Sequence, residues 1–430
     1  MRKILTFFIT VFFVVSAQGA SLINDTETEK FLTDLIAPLA QAANVPDGRM
    51  KVHIINSDDF NAFVMGGEDI YVYTGLLTQI KSPSALQAVI AHEMGHTIGG
   101  HMAQMSSRME AELRRAMLIQ ALGVGLMVAG GNPSLGAGVV AGSSGVAQQS
   151  MLAFTRDEER IADDMGLKLL VSAKLDPDGF VQVLEQMGEM TSVLESKVNP
   201  NRINHPLTSE RLNNVKAQIK KLDSEYVASN APTKRQQEEF KLVQAKLIGY
   251  LDSPDRVAAL FPNSDKSDAA VYARAIARMQ AGKLEDARIG VQSLISDNPD
   301  NPYFYELLGD IDYQLGRYDD SIDAYEKSLS LQESAPQIET ALALVLTERN
   351  KPNDKERAIE LCKRSLLVQP APLTYWVLAR AYDDGRADWA RAEYYHMIGD
   401  KKNATKYARL ARKRLPSGSP EYTKSGDLVK

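Results

Sequence analysis

The stretch Ala91-His92-Glu93-Met94-Gly95-His96 decides the reading of this chain. On an α-helix, residues four apart lie on one face, so His92 and His96 can direct two imidazoles at one metal ion. Glu93 stands beside the first of them, where its carboxylate can act on water as a general base. Upstream, Ser84-Ala85-Leu86-Gln87-Ala88-Val89-Ile90 reads as the opening turns of the helix that carries the motif, with Ser82 or Ser84 as N-cap. Downstream, Gly99, Gly100 and His101 mark its end. A catalytic Zn²⁺ takes three protein ligands and keeps one position for water. Two histidines therefore leave the site one ligand short.

The candidate for that ligand lies in Arg156-Asp157-Glu158-Glu159-Arg160-Ile161-Ala162-Asp163. At i and i+4, Glu159 and Asp163 share a helical face, so one carboxylate can bind the ion while the other hydrogen-bonds a ligand imidazole. Glu158 points elsewhere. Ala162 and Gly166 are small enough to let this helix dock on the motif helix.

Before the motif, Thr26 to Ala43 has the period of a helix. Val52-His53-Ile54-Ile55 and Asp69-Ile70-Tyr71-Val72-Tyr73 read as strands, with Gly66-Gly67 as turn material between them. A small sheet thus precedes the motif helix, and His53 has a structural place in it. The strand around Ile70, Tyr71 and Val72 is expected to hold extended substrate by strand addition. From Ala116 to Thr155 no residue is charged. Asn132-Pro133-Ser134 and many glycines interrupt this segment before about 20 clean apolar residues accumulate. It reads as two packed helices or a flap over a cleft, and it is the one region suited to peripheral membrane contact.

Beyond residue 235, helices follow one another with a period near 34, the tetratricopeptide pattern (about 34). Small residues for close helix pairing recur at Ala287, Ser321, Ala358 and Ala404. Gly282, Gly316 and Gly399 stand where turns within repeats belong, and Pro299, Pro370 and Pro416 at the exits of second helices. The wider gap between Ser321 and Ala358 places an insertion around Asn350-Lys351-Pro352-Asn353. The fold class expected is mainly α with a small β-sheet. A zincin-like peptidase domain over 21–230 is followed by an α-solenoid of tetratricopeptide-like repeats over 235–430.

A chain of 430 residues, 44% hydrophobic and 24% charged, is globular material for two or three domains. The net charge of -6 argues against nucleic acid as a partner, since that affinity rests on clustered Lys and Arg. Residues 1–20 read as a cleavable signal peptide: Arg2 and Lys3, an apolar run from Ile4 to Val15, then Ala17-Gln18-Gly19-Ala20. Cys362 is the only cysteine, so no disulfide forms within the chain. His101 and His396 stand at no ligand spacing and are read as incidental.

Together these pieces resemble an M48-family metallopeptidase of the bacterial periplasmic type with C-terminal tetratricopeptide repeats. The likeness rests on Asn61-Ala62-Phe63 with Gly66-Gly67, Ile70 to Leu77, His92 to His96, Glu159 to Asp163, and His205-Pro206-Leu207 with Arg211. It implies that Glu159 is the third zinc ligand, beside His92 and His96, and that Asp163 holds a ligand in place. It implies that His205 lies near the one Zn²⁺, either filling the open position at rest or stabilising the oxyanion. It also places Asn61 with Ile70, Tyr71 and Val72 on the substrate. The activity implied is zinc-dependent cleavage of misfolded or misassembled proteins in the periplasm, with the repeats docking substrate or an outer-membrane assembly complex. The rival reading is a chaperone or binding module whose metal site is shut. A membrane-embedded peptidase would need several long apolar spans, and only 116–155 approaches one.

Overall fold

The computed structural model describes residues 21–46, 48–65, 69–99, 156–194, 209–222, 226 and 229–429. The expected signal peptide, the Gly66-Gly67 turn, the uncharged segment 116–155 and His205 fall outside these. The chain divides into two compact units. One takes in residues up to Phe31, Ile54–Ser57 and Glu238–Lys430; the other holds Leu32–His53 and Asp58–Gln237.

The expected sheet has four strands: β1 (Ser21–Ile23), β2 (Lys51–Asn56), β3 (Ala62–Met65) and β4 (Asp69–Tyr73), in the order β1-β2-β4-β3. Helix α1 (Thr26–Ala42) lies between β1 and β2 in sequence. β3 pairs antiparallel with β4, Ala62 opposite Val72 and Val64 opposite Ile70. These four apolar side chains are buried. The alternation puts Phe63, Tyr71 and Tyr73 on the other face, where Phe63 and His53 both stack on Tyr71 at 4.7 Å between ring centroids. His53 Nε2 also lies 2.8 Å from Asp69 Oδ1, so this histidine serves the sheet.

After β4 come α2 (Thr74–Gln79) and the motif helix α3 (Pro83–Ile98). Ser82 is the N-cap, its hydroxyl accepting from the Ala85 amide at 3.1 Å, and Pro83 occupies the first turn, where a missing amide hydrogen costs nothing. Helix α4 (Arg156–Ser172) packs on α3 at backbone distance. A Cβ on Gly95 would stand 2.5 Å from the Ala162 carbonyl oxygen, and one on Gly166 3.0 Å from the Ala91 backbone. Helix α5 (Asp178–Leu194) closes on the other side, with Ser84 Oγ donating to Asp176 at 2.8 Å just before it. Helix α6 (Ser209–Ile219) follows and lies against α4.

In the other unit, α7 (Lys234–Leu251) and α8 (Pro254–Leu260) lead into helix pairs: α9 (Asp268–Gln280) with α10 (Leu284–Asp297), α11 (Pro302–Gln314) with α12 (Tyr318–Ser330), α13 (Pro336–Arg349) with α14 (Asp354–Val368). α15 (Pro372–Ala381), α16 (Gly385–Met397), α17 (Lys401–Arg414) and α18 (Pro420–Asp427) complete it. Ala287, Ser321, Ala358 and Ala404 are all buried where helices meet. Gly282, Gly316 and Gly399 have φ of +73°, +73° and +79°, which a side chain would oppose. In the α13–α14 turn, Asn350 and Asn353 take the left-handed conformation instead, at the insertion read from the spacing.

This unit also holds a buried ionic cluster that no sequence pattern marks. The Lys246 ammonium on α7 lies 2.6 Å from Asp25, 3.3 Å from Glu27 and 3.2 Å from Glu306 of α11. Tyr272 donates to Glu27 at 2.9 Å. Burial, then repulsion from Asp25, outweigh Lys246 and push the Glu27 pKa up to about 7.

Candidate metal and catalytic site

Helix α3 presents His92 and His96 one turn apart, and α4 brings Glu159 to meet them. The two Nε2 atoms are 3.1 Å apart, and each lies 3.5 Å from a Glu159 carboxylate oxygen. Among the described residues, these three are the group whose donor atoms converge as metal ligands, and all three are buried. The close approach of Gly95 to Ala162 makes this convergence geometrically accessible, because bulkier residues there would hold α4 away.

Asp163, one turn beyond Glu159, has Oδ1 2.9 Å from His92 Nδ1. That contact orients the ring so that Nε2 faces the ligand cluster. Burial disfavours a charged imidazole, yet Asp163 and Glu159 override it and raise the His92 pKa to about 9. The pocket is built to hold positive charge. Glu93, Glu159 and Asp163 are all buried here, with a guanidinium against the last two. Two imidazoles and a carboxylate are the donor types of a catalytic metal centre, so the residues present fit the expected ion.

Arg211 supplies that guanidinium. It carried no role in the sequence reading beyond its place after His205-Pro206-Leu207. From α6 it donates through Nε and Nη2 to the two oxygens of Asp163, each at 2.8 Å, while Nη1 lies 2.6 Å from Glu159. One planar fork thus fixes both acidic residues of α4. The buried arginine, in the first turn of a helix of otherwise modest apolarity, could be found from sequence only through its link to the His205 motif. Arg211→Lys is expected to leave the fold intact but weaken metal binding roughly 10 to 100-fold, because a point charge cannot span three carboxylate oxygens. Competition against a chelator of known affinity measures this; unchanged affinity would show that Glu159 is positioned without Arg211.

Glu93 lines a cavity open to solvent together with His92, Arg211, Asn61, Phe60 and Ala62. Leu76, Val89, Phe180, Val183, Leu184 and Met187 form its apolar wall. Asn61, expected on the substrate, thus lines the same cavity as Glu93. The strand-addition site is corrected. β4 lies between β2 and β3, so both its backbone edges are occupied, and Ile70 and Val72 are fully buried. Among the described residues, the strand at the end of the sheet is β3, which packs against α3. Glu158, expected to point elsewhere, is outside the ligand cluster but buried.

Residues 26–219 match the family model for Peptidase family M48, and residues 272–338 match one for the Tetratricopeptide repeat. The chain is 26% identical to the Beta-barrel assembly-enhancing protease of Escherichia coli (strain K12), over 93% of this chain and 82% of that protein. Its likeness to the protein of that name from Yersinia pestis is 25%, over 94% and 83% of the two chains. Against the Mitochondrial metalloendopeptidase OMA1 of Schizosaccharomyces pombe it is 26% identical, over 46% of this chain and 56% of that one.

Proposed function

We propose, for a chain that is a metalloendopeptidase with an M48 peptidase domain followed by tetratricopeptide repeats, that the ion is zinc and the substrates are unfolded or misassembled proteins. The observation that carries this reading is the meeting of His92, His96 and Glu159, with His92 also lining, beside Glu93, a largely apolar cavity. Zn²⁺ bound there would supply Lewis acidity toward water and toward the scissile carbonyl.

The chain's own residues do the rest. Glu93 accepts the proton of the attacking water and returns it to the leaving nitrogen. Asp163 and Arg211 hold His92 and Glu159 in their places. A peptide segment lies along the outer edge of β3, bound through its backbone and hence with little sequence preference. One of its apolar side chains enters the cavity walled by Val183, Leu184 and Met187. Chains that expose apolar side chains in extended form are unfolded ones, which supports the substrate class. His205 completes the reading, as hydrogen-bond donor to the developing oxyanion or as an occupant of the open position at rest.

The relatives' name, Beta-barrel assembly-enhancing protease, supports a role in the assembly of β-barrel proteins; we place that role in the periplasm, at the outer membrane, with the repeats docking substrate or the assembly machinery. No described helix is long and apolar enough to cross a membrane. The test is metal removal. Chelation is expected to abolish casein hydrolysis and zinc to restore it; Glu159→Ala should lose zinc where Asp157→Ala, at an exposed neighbour, keeps it. Equal zinc content in the two variants would remove Glu159 from the ligand set.

A further inference from the structure

Helix α17 contradicts the charge of the chain that carries it. The protein has a net charge of -6, yet Lys401-Lys402-Asn403-Ala404-Thr405-Lys406-Tyr407-Ala408-Arg409-Leu410-Ala411-Arg412-Lys413-Arg414 contains no acidic residue. Its buried stripe is Ala404, Ala408 and Ala411. At 100° per residue, Lys402, Lys406, Arg409 and Lys413 fall on the diametrically opposite side, and all four are exposed. α16 packs over the alanine side, and α18 meets the flank where Thr405 donates to the Leu428 carbonyl and Arg412 to Tyr422. Arg414 is paired with Asp388 at 2.7 Å, whereas no described residue forms an ion pair with any of the four. They make a straight row of one sign, about 16 Å long at 1.5 Å per residue. Three methyl-sized side chains seated in the neighbouring helix prevent the row from rotating inward.

We propose that this row docks the protein on an anionic lipid surface. Charge complementarity requires an anionic partner, and the composition of the row selects among them. Protein interfaces have an apolar or aromatic centre and are depleted in Lys. Here three of the four residues are Lys, and the one exposed apolar residue beside them, Leu410, stands at the edge of the row and not at its centre. Lysines are compact hydrated charges suited to a diffuse field of headgroup phosphates, which draws each nearby cation with a strength of about fivefold in partitioning. The apolar side of α17 is already used within the repeats, so the association is electrostatic, without insertion, and salt weakens it.

The experiment is co-sedimentation of the full chain with phosphatidylcholine vesicles, with and without phosphatidylglycerol. Expected is low-salt binding that needs phosphatidylglycerol, vanishes at high salt, and falls roughly several hundred-fold when Lys402, Lys406, Arg409 and Lys413 are all changed to Gln (about fivefold for each charge). Replacing the three lysines by Arg should preserve it. Circular dichroism and casein hydrolysis should be unchanged in both variants, since none of these residues touches the metal site. Equal vesicle binding by wild type and the Gln variant overturns the proposal. So does a wild type that ignores anionic vesicles but binds soluble polyglutamate, which would make the partner an acidic protein.

Discussion

Glu93→Gln lowers peptide hydrolysis by about 10² to 10⁴-fold, the usual contribution of a general acid–base group, and leaves zinc content and melting temperature as they are. The side chain is buried on α3 and faces the cavity, but it is not one of the three converging ligands. Gln has the same shape and keeps a carbonyl oxygen for hydrogen bonding, so packing survives. What it lacks is an oxygen that can take a proton from water. Zinc analysis, thermal melting and casein kinetics on the same preparation separate the two effects. Hydrolysis near the wild-type rate in a zinc-loaded Gln variant would falsify the assignment of Glu93 as the base.

Lys246→Ala destabilises the unit that contains the repeats by about 3 to 5 kcal/mol, the range found when one partner of a buried ion pair is removed. The ammonium is buried among Asp25, Glu27 and Glu306, and its loss leaves these carboxylates facing one another without a cation. The deficit depends on pH with a definite sign. Burial already raises Glu27 from 4.5 to about 7, so the folded protein takes up a proton there that the unfolded chain does not hold. That contribution is complete below the unfolded pKa and is lost as pH rises through the folded one. Without Lys246, the one neighbour whose charge lowers it, Glu27 rises further. Protonation then relieves the repulsion, and the deficit should shrink at about pH 5 relative to about pH 8. Thermal melting of both proteins across that range checks it; a pH-independent deficit would mean that lost packing, not charge, is responsible.

Spacing along single elements was enough to find much of this molecule. His92, Glu93 and His96 are legible because ligand and base positions four and one apart are a local property of one helix. Glu159 and Asp163 are legible as a pair for the same reason, and the repeats through their period, their buried small residues and the left-handed glycines at 282, 316 and 399. The aromatic and β-branched alternation of β4 likewise announced a strand. β1 and β3 were hidden because they span only three and four residues, too few for a period to show.

What tertiary structure alone decided are the relations between elements distant in sequence. Which carboxylate faces both imidazoles depends on how α4 lies across α3, a matter settled where Gly95 meets the Ala162 carbonyl. The role of Arg211 depends on α6 reaching back to Asp163, 48 positions earlier. That β4 is enclosed and β3 stands at the end is a fact of strand order, on which side-chain alternation is silent because pairing is made by the backbone. The compact unit that holds the repeats also takes in residues up to Phe31 and Ile54–Ser57. Asp25 and Glu27 look like ordinary acidic residues at the start of an exposed helix, where charge favours the dipole. Only the fold places them against Lys246, and burial then turns a surface-like pattern into an ionic cluster, because in a medium of low polarity each charge must find its partner within the protein.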